Sequence, residues 1–137
     1  METQSMTIAE KNAENVKRGY AAFNSADMAT LTQLFHKDAS WQTPGKSSIA
    51  GTFHGRDNVF GHFGRYGMET NGTMQSRLMA VSATTDGKVV AIHHNSGTRN
   101  GKTLNTDCCI EFDFKDGLLI SGREYFFDLY NWDEFWS

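Results

Sequence analysis

Hydrophobic positions recur with two different periods along the chain, and the change of period divides the chain in two. From Ile8 apolar residues recur every three to four positions, which predicts a helix over about 8–24. Asp27 stands where the N-cap of a second, short helix is expected, and His36-Lys37-Asp38 is predicted to close that helix. A third helix is predicted over about 57–67. The first half of the chain is therefore predicted to be mainly helical.

From about Met74 the pattern changes to an alternation of apolar and polar residues, which is typical of half-buried strands. The predicted strands cover about 74–84, 88–99, 103–115 and 118–128, after two shorter ones at 39–43 and 49–53. The turns between the long strands are Asp86-Gly87, Asn100-Gly101 and Asp116-Gly117, and such dipeptides are typical of tight hairpins. Helices followed by a meander predict an α+β fold, with helices on one face of a curved antiparallel sheet.

Composition narrows the classes of partner. A chain of 137 residues is expected to form a single domain over 1–137, and a net charge of −3 leaves no basic stripe for nucleic acid. No apolar run is long enough for a membrane span, and the N-terminal residues lack the apolar core of a signal peptide. Cys108 and Cys109 are adjacent on a predicted strand, so their side chains point to opposite faces and should stay free thiols. A cytoplasmic location is therefore expected.

Several short motifs, in this order and spacing, resemble the nuclear-transport-factor-2-like superfamily. They are Asn24-Ser25-Ala26-Asp27, Phe35-His36-Lys37-Asp38-Ala39, His54-Gly55-Arg56-Asp57, Asn100-Gly101-Lys102, and Asp116-Gly117 followed by Arg123-Glu124-Tyr125-Phe126. The superfamily includes ketosteroid isomerases, SnoaL-like polyketide cyclases and limonene-epoxide hydrolases. The resemblance covers roughly residues 12–130 and implies a cone-shaped, strongly curved antiparallel sheet wrapped around about three helices, with an apolar pocket at the wide end. It implies a scaffold, because fold alone does not decide function.

The ketosteroid isomerases provide a sharp test of the resemblance. Their chemistry needs an Asp base and two oxyanion donors, a Tyr and a protonated Asp. Matched through the motifs above, the base falls at Thr43 and the protonated Asp at Ile110. The Tyr falls at Gly19, with Tyr20 one position further and about 100° around the helix. The resemblance therefore argues against that reaction by that mechanism.

In the other two groups of relatives, an acidic residue lies on the last strand. Limonene-epoxide hydrolases carry an acid where this chain has Glu124, but their Arg-x-Asp pair has no counterpart in His93-His94-Asn95-Ser96. SnoaL-like cyclases have an acid near the end of the last strand, close to Glu124 or Asp128. An acid on the last strand is therefore the catalytic feature of the superfamily that this sequence keeps.

The same matching predicts which side chains face the pocket. His93 with Glu124 or Asp128 is predicted to be a catalytic general acid/base pair. The predicted substrate-binding residues are Tyr20, Trp41, Phe53, Phe60, Phe63, Asn95, Cys108, Ile110, Phe112 and Phe126. Structural roles stay open for all three catalytic candidates. His93 could be a bonded wall residue, Glu124 could pair with Arg56, Arg65 or Arg123, and Asp128 could be a helix cap or a solvated acid.

We therefore predict a cofactor-independent enzyme of isomerase or cyclase type, acting by general acid/base chemistry on a small apolar or polycyclic molecule in the cone pocket. No metal site is expected, because His93 and His94 point apart on a strand, and no nucleotide motif occurs. The alternative is a non-catalytic small-ligand-binding or dimerisation module on the same scaffold. A homodimer is expected, and the aromatic tail over 131–137 is predicted to fold over the pocket or pack on a second subunit.

Overall fold

The computed structural model describes residues 6–137, which form four helices and a six-stranded sheet. The helices are α1 (Ile8–Asn24), α2 (Met28–Leu34), α3 (Arg56–Glu69) and α4 (Leu129–Trp136). The strands are β1 (Phe35–Thr43), β2 (Gly51–His54), β3 (Gln75–Ala83), β4 (Val89–Arg99), β5 (Lys102–Lys115) and β6 (Leu118–Phe126). The strand order is β2-β1-β6-β5-β4-β3, and the sheet is not closed into a barrel.

The two N-terminal helices begin where the sequence predicts. Thr7 caps α1 by accepting a hydrogen bond from the Glu10 backbone N–H, and Asp27 caps α2 through the Thr30 backbone N–H. The prediction that His36-Lys37-Asp38 closes α2 is wrong, because α2 ends at Leu34 and β1 begins at Phe35. The cause is a long-range pairing, since β1 lies beside β6 from Phe35 onward and its extended backbone is held there.

The hairpins of the second half follow the predicted turns. Asn100 and Gly101 both have positive φ, at 51° and 77°, as do Asp116 and Gly117, at 55° and 78°. These values suit two-residue turns whose twist matches that of the flanking strands. The α+β cone fold is confirmed, with one difference: β1 and β6 pair in parallel, so the sheet is mixed. That parallel pair brings the first and last strands of the chain together.

The aromatic C-terminal tail forms a helix that the sequence analysis did not predict. Asp128 caps α4 by accepting from the Asn131 backbone N–H, and Trp132, Phe135 and Trp136 are almost fully buried. The Trp132 ring stacks on Phe126 at a centroid distance of 4.0 Å. The tail therefore packs within its own chain, as part of a second hydrophobic cluster with Ile49, Tyr66, Met74 and Leu104.

The loop over 44–50 is fastened to α4. The Asp133 carboxylate accepts hydrogen bonds from the backbone N–H groups of Lys46, at 3.0 Å, and Ser47, at 3.3 Å. Gly45 has φ of 111°, and a Cβ there would overlap the Asp133 carboxylate. Within residues 6–137 no helix has the length and apolar character needed to cross a membrane.

The buried face of α4 predicts a large difference between two substitutions on that helix. Trp132 is 0% exposed and Tyr130 is 91% exposed. Trp132→Ala should lower the free energy of unfolding by about 3–5 kcal/mol, because it leaves a cavity in the second cluster. Tyr130→Ala should change it by less than about 0.5 kcal/mol. Urea denaturation of both variants measures this, and equal losses would show that α4 does not pack as described.

Candidate active site

A buried carboxylate on the last strand is the centre of the site. Glu124 is 7% exposed, and its Oε1 atom accepts three hydrogen bonds. The donors are Nε1 of Trp41 at 2.7 Å, Oγ1 of Thr43 at 2.6 Å and the hydroxyl of Tyr66 at 3.0 Å. Three donors on one oxygen compensate much of the cost of taking a carboxylate out of water.

The pairing of β1 with β6 delivers two of these donors. Trp41 lies opposite Gly122 and Gln42 opposite Arg123, so Thr43 follows beside Glu124. Side chains alternate along a strand, and Trp41 and Thr43 therefore share the face of Glu124. A Cβ on Gly122 would overlap the Trp41 ring, so the glycine lets the indole lie across β6 and reach the carboxylate.

The second carboxylate oxygen is much less fully hydrogen-bonded than the first. Within residues 6–137 the hydrogen-bond partner of Glu124 Oε2 is the Cys108 thiol, at 3.9 Å, which is a weak donor. Burial raises the pKa of Glu124 above the ordinary value of 4.5, while the bonds from Thr43, Trp41 and Tyr66 act in the opposite direction. A carboxyl group with a raised pKa can both take and return a proton closer to neutral pH.

His62 stands behind Glu124 and orients its partners. His62 Nε2 lies 2.9 Å from Thr43 Oγ1, and Phe53 stacks on the imidazole at a centroid distance of 4.0 Å. Burial lowers the pKa of His62 to about 4, so the ring is neutral at pH 7. Since the Thr43 hydroxyl proton goes to Glu124, the hydrogen-bond geometry assigns the ring proton of His62 to Nε2.

A second polar cluster lies across the sheet on α1, β3 and β4. The Tyr20 hydroxyl is 2.6 Å from His93 Nδ1, and His93 is 3% exposed. Burial lowers the pKa of His93 to about 4 and raises the pKa of Tyr20 well above 10.0, so both groups are neutral at pH 7. His93 therefore bonds to Tyr20 rather than to Glu124, from which β5 separates it.

Asn95 belongs to the same cluster. Its Oδ1 atom accepts a hydrogen bond from Ser76 Oγ at 2.9 Å. Asn24 holds the Ser76 backbone on both sides, donating to its carbonyl at 2.8 Å and accepting from its N–H at 2.9 Å. The position of the Asn95 amide is thus fixed from α1 through β3.

An apolar cavity joins the two polar clusters. It contains about 610 Å³ of space not filled by atoms, open solvent at its mouth included. Its walls are mainly aromatic and aliphatic, and Glu124 is the single acid among its described lining residues. The lining residues are Asn15, Val16, Gly19, Tyr20, Phe23, Leu31, Leu34, Phe35, Trp41, Phe63, Tyr66, Met74, Ser76, His93, Asn95, Ile110, Phe112, Leu119 and Glu124. The arrangement suits a compact apolar molecule with a proton-transfer group at one end.

Comparison with known proteins agrees with this architecture. Residues 16–122 match the family described as SnoaL-like domain. The chain belongs to the SnoaL-like family. An uncharacterized protein of Mycobacterium tuberculosis is 35% identical over 122 residues, which are 89% of this chain and 93% of that protein.

Solved structures carry the same fold. Bal32a, from a soil-derived mobile gene cassette, is 57% identical with a TM-score of 0.95, over 96% of this chain and 100% of that chain. A protein of unknown function with a cystatin-like fold from Xanthomonas campestris is 28% identical with a TM-score of 0.85, over 92% and 98%.

Most of the residues predicted for the site do meet in the SnoaL-like cavity. Those that line it are Tyr20, Trp41, Phe63, His93, Asn95, Ile110, Phe112 and Glu124. Cys108 lies behind them and touches Glu124 Oε2, and Phe60 packs against the main core cluster. The remaining three lie elsewhere. Phe53 stacks on His62, Phe126 stacks on Trp132, and Asp128 is the exposed cap of α4.

The ion pair between Glu124 and an arginine, which the sequence left open as a structural alternative, is absent among the described residues. Arg65 pairs with Glu69 at 2.8 Å, and Arg56 bonds to backbone carbonyls of Thr32 and Phe35. The carboxylate therefore has hydrogen-bond donors in place of a counter-charge. Among residues 6–137 no group of three or more His, Cys, Asp or Glu side chains could hold a metal ion.

Four polar residues that form the hydrogen bonds around Glu124 and Asn95 were not predicted to belong to the site. They are Thr43, His62, Tyr66 and Ser76. His62 and Tyr66 are four positions apart on a predicted helix and so share one face, which was an available signal. Thr43 is the position at which the isomerase base falls in the sequence comparison, and here its hydroxyl supports an acid that comes from β6.

The close approach of Trp41 to Gly122 predicts a local effect of one added methyl group. Gly122→Ala should push the indole away from Glu124 and lower the free energy of unfolding by about 1–3 kcal/mol. The Trp41 indole N–H resonance in a ¹H–¹⁵N spectrum should shift as its hydrogen bond is lost. Gly64→Ala is the matched control, since no heavy atom lies within 4 Å of its Cβ position. An unchanged Trp41 resonance in Gly122→Ala would contradict the geometry.

The neutral histidines predict a loss of stability in acid. His93 has a folded pKa of about 4 against an ordinary 6.5, so only the unfolded chain takes up this proton as the pH falls from 6.5 to about 4. This costs about 3 kcal/mol of unfolding free energy. Glu124 makes the opposite contribution to stability. Because its folded pKa is raised, the folded state binds this proton more readily than the unfolded chain, which favours folding as the pH falls.

The comparison of wild type with His93→Gln isolates the contribution of His93. Urea denaturation at pH 7, 6, 5 and 4 should give a shallower loss of stability in the variant. If the unfolding free energy falls equally with pH in both proteins, His93 is not a buried neutral histidine.

Proposed function

We propose that this SnoaL-like protein is an enzyme of isomerase or cyclase type that moves a proton within a small apolar substrate. One observation carries the proposal: Glu124 lines an apolar cavity with Oε1 occupied by three donors, while Oε2 has only the weak Cys108 thiol as a partner among the described residues. A carboxylate fixed in this way is a directed base in a medium of low dielectric constant.

The reaction needs one proton acceptor that later becomes a donor. Ionised Glu124 takes a proton onto Oε2 from a substrate carbon that is next to, or conjugated with, a carbonyl group. The electron pair of the broken C–H bond forms a C=C bond while the carbonyl π pair moves onto the oxygen, which gives an enolate carbanion. The protonated carboxyl then returns the proton to another carbon, which completes an isomerisation. If the carbanion attacks a carbonyl carbon of the same molecule, the proton goes to the new alkoxide and a ring is closed.

The two histidines have supporting roles in this scheme. His93 and His62 are neutral at pH 7, because burial lowers their pKa values to about 4. Neither imidazole therefore carries the extra proton that a general acid would give to the substrate. Tyr20 keeps its proton because burial raises its pKa, and it can only donate a hydrogen bond or accept one. The proposed proton carrier is therefore Glu124 alone, in place of the His93–Glu124 pair expected from the sequence.

The assembly of the protein is a separate proposal. Tyr125, Phe127 and Tyr130 are 51%, 72% and 91% exposed next to the end of β6. These exposed rings support the homodimer that the sequence analysis expects.

The base at Glu124 can be tested with a probe that reports proton abstraction directly. 5-Nitrobenzisoxazole is a compact apolar bicycle that opens to a coloured phenolate when a base removes its C–H proton: the pair forms the nitrile and the N–O bond breaks. Glu124→Gln should lower kcat/KM by at least about 100-fold. Glu111→Gln is the matched control, because Glu111 lies on the adjacent strand and pairs with Lys88 outside the cavity.

The pH profile adds a second check on the same residue. The wild-type rate, corrected for hydroxide, should rise with pH and level off above a pKa that is higher than 4.5, since only ionised Glu124 takes the proton. Turnover that is equal in Glu124→Gln and wild type would overturn the proposal. Binding of the probe without any turnover would support the non-catalytic ligand-binding alternative.

A further inference from the structure

One donor group in the cavity has no partner. Asn95 is 1% exposed, and its Nδ2 atom makes no hydrogen bond of normal geometry with the described residues, although the side chain of His93 lies beside the amide. A buried amide nitrogen without an acceptor lowers the stability of the folded state, because the nitrogen has lost its hydrogen bonds to water. Since Asn95 lines the cavity, the missing acceptor can come from a bound molecule.

The surrounding contacts hold the amide ready for that molecule. Ser76 Oγ donates to Asn95 Oδ1 at 2.9 Å, which fixes the oxygen toward β3 and the nitrogen on the other side of an amide that lines the cavity. Asn24 fixes Ser76 by bonding both its backbone N–H and its carbonyl. A donor held in place before binding loses little entropy when the ligand arrives.

The charges around the cavity define the kind of oxygen that Asn95 can bind. No Lys or Arg is present among the described lining residues, so a carboxylate or phosphate ligand would find no counter-charge. Ionised Glu124 in the same cavity would repel an anion as well. The acceptor must therefore be a neutral oxygen, and a carbonyl oxygen fits because it accepts from one N–H of Nδ2 and has no proton of its own to place.

We propose that the substrate is a neutral, compact, ring-containing carbonyl compound whose oxygen is bound by Asn95 Nδ2. This rests on the proposed function, because a carbonyl is also the group that acidifies a neighbouring or conjugated C–H bond. When Glu124 Oε2 takes that proton, the C–H pair forms the C=C bond of an enolate and the carbonyl π pair moves onto the oxygen. Asn95 then donates to an oxygen with more negative charge, which strengthens its hydrogen bond.

Three probes with one ring skeleton test the binding part. They are 2-tetralone, the hydrocarbon tetralin and the alcohol 2-tetralol, and their dissociation constants can be measured by calorimetry or by ligand-observed NMR. Wild type should bind the ketone about tenfold more tightly than the hydrocarbon, which is the effect of one hydrogen bond in a buried site. Asn95→Leu should abolish this preference while it keeps or improves the binding of tetralin.

The controls separate Asn95 from general effects on the fold. Asn105→Leu makes the same chemical change at an exposed position of β5 and should leave all three constants unchanged. If Asn95→Leu does not fold, Asn95→Ala gives the same comparison with a smaller side chain. Glu124→Gln should keep the preference for the ketone, so a failure of the proposed base leaves this test intact.

Three outcomes would overturn the inference. One is an Asn95→Leu protein that keeps the preference for 2-tetralone. Another is tighter binding of the alcohol than of the ketone by wild type, which would mean that Oδ1 and not Nδ2 faces the cavity. The third is a wild-type protein that binds none of the three probes.

Discussion

The burial of one carboxylate is the constraint on which the rest of the site depends. Glu124 can be buried because Trp41, Thr43 and Tyr66 all donate to the same oxygen. These donors come from β1 and α3, so the interaction ties the first strand and the third helix to the last strand. It also leaves Oε2 as the carboxylate oxygen without a strong donor, so the proposed proton transfer is assigned to that oxygen.

The two polar clusters at the apolar cavity offer different chemical groups, one a carboxylate and the other neutral hydrogen-bonding side chains. The wall at Glu124 offers a proton acceptor whose pKa is raised by burial. The wall at Tyr20, His93 and Asn95 is neutral and offers hydrogen bonds. Because Glu124, His93 and Asn95 are all buried, each group acts in a medium of lower dielectric constant, where a hydrogen bond or a charge has a larger effect than in water.

Local patterns in the sequence predicted a large part of this arrangement. Asn-Gly and Asp-Gly turns define the hairpins, and alternation along β6 then predicts that Glu124 points inward. The parallel pairing of β1 with β6 is non-local and leaves no such pattern, so Thr43 could not be recognised as a partner of Glu124. Helix α4 is eight residues long, and its stability comes from packing of Trp132 and Trp136 rather than from helix propensity.

The ionisation of Glu124 in the folded protein tests the account most directly. Selective ¹³C labelling of glutamate carboxyl groups, with the Glu124 signal assigned by its absence in Glu124→Gln, gives its titration curve by NMR. The account predicts a midpoint above the ordinary 4.5, because burial outweighs the three donors. A midpoint at or below 4.5 would contradict it, since Glu124 would then be a structural anion held by its hydrogen bonds and a poor proton carrier.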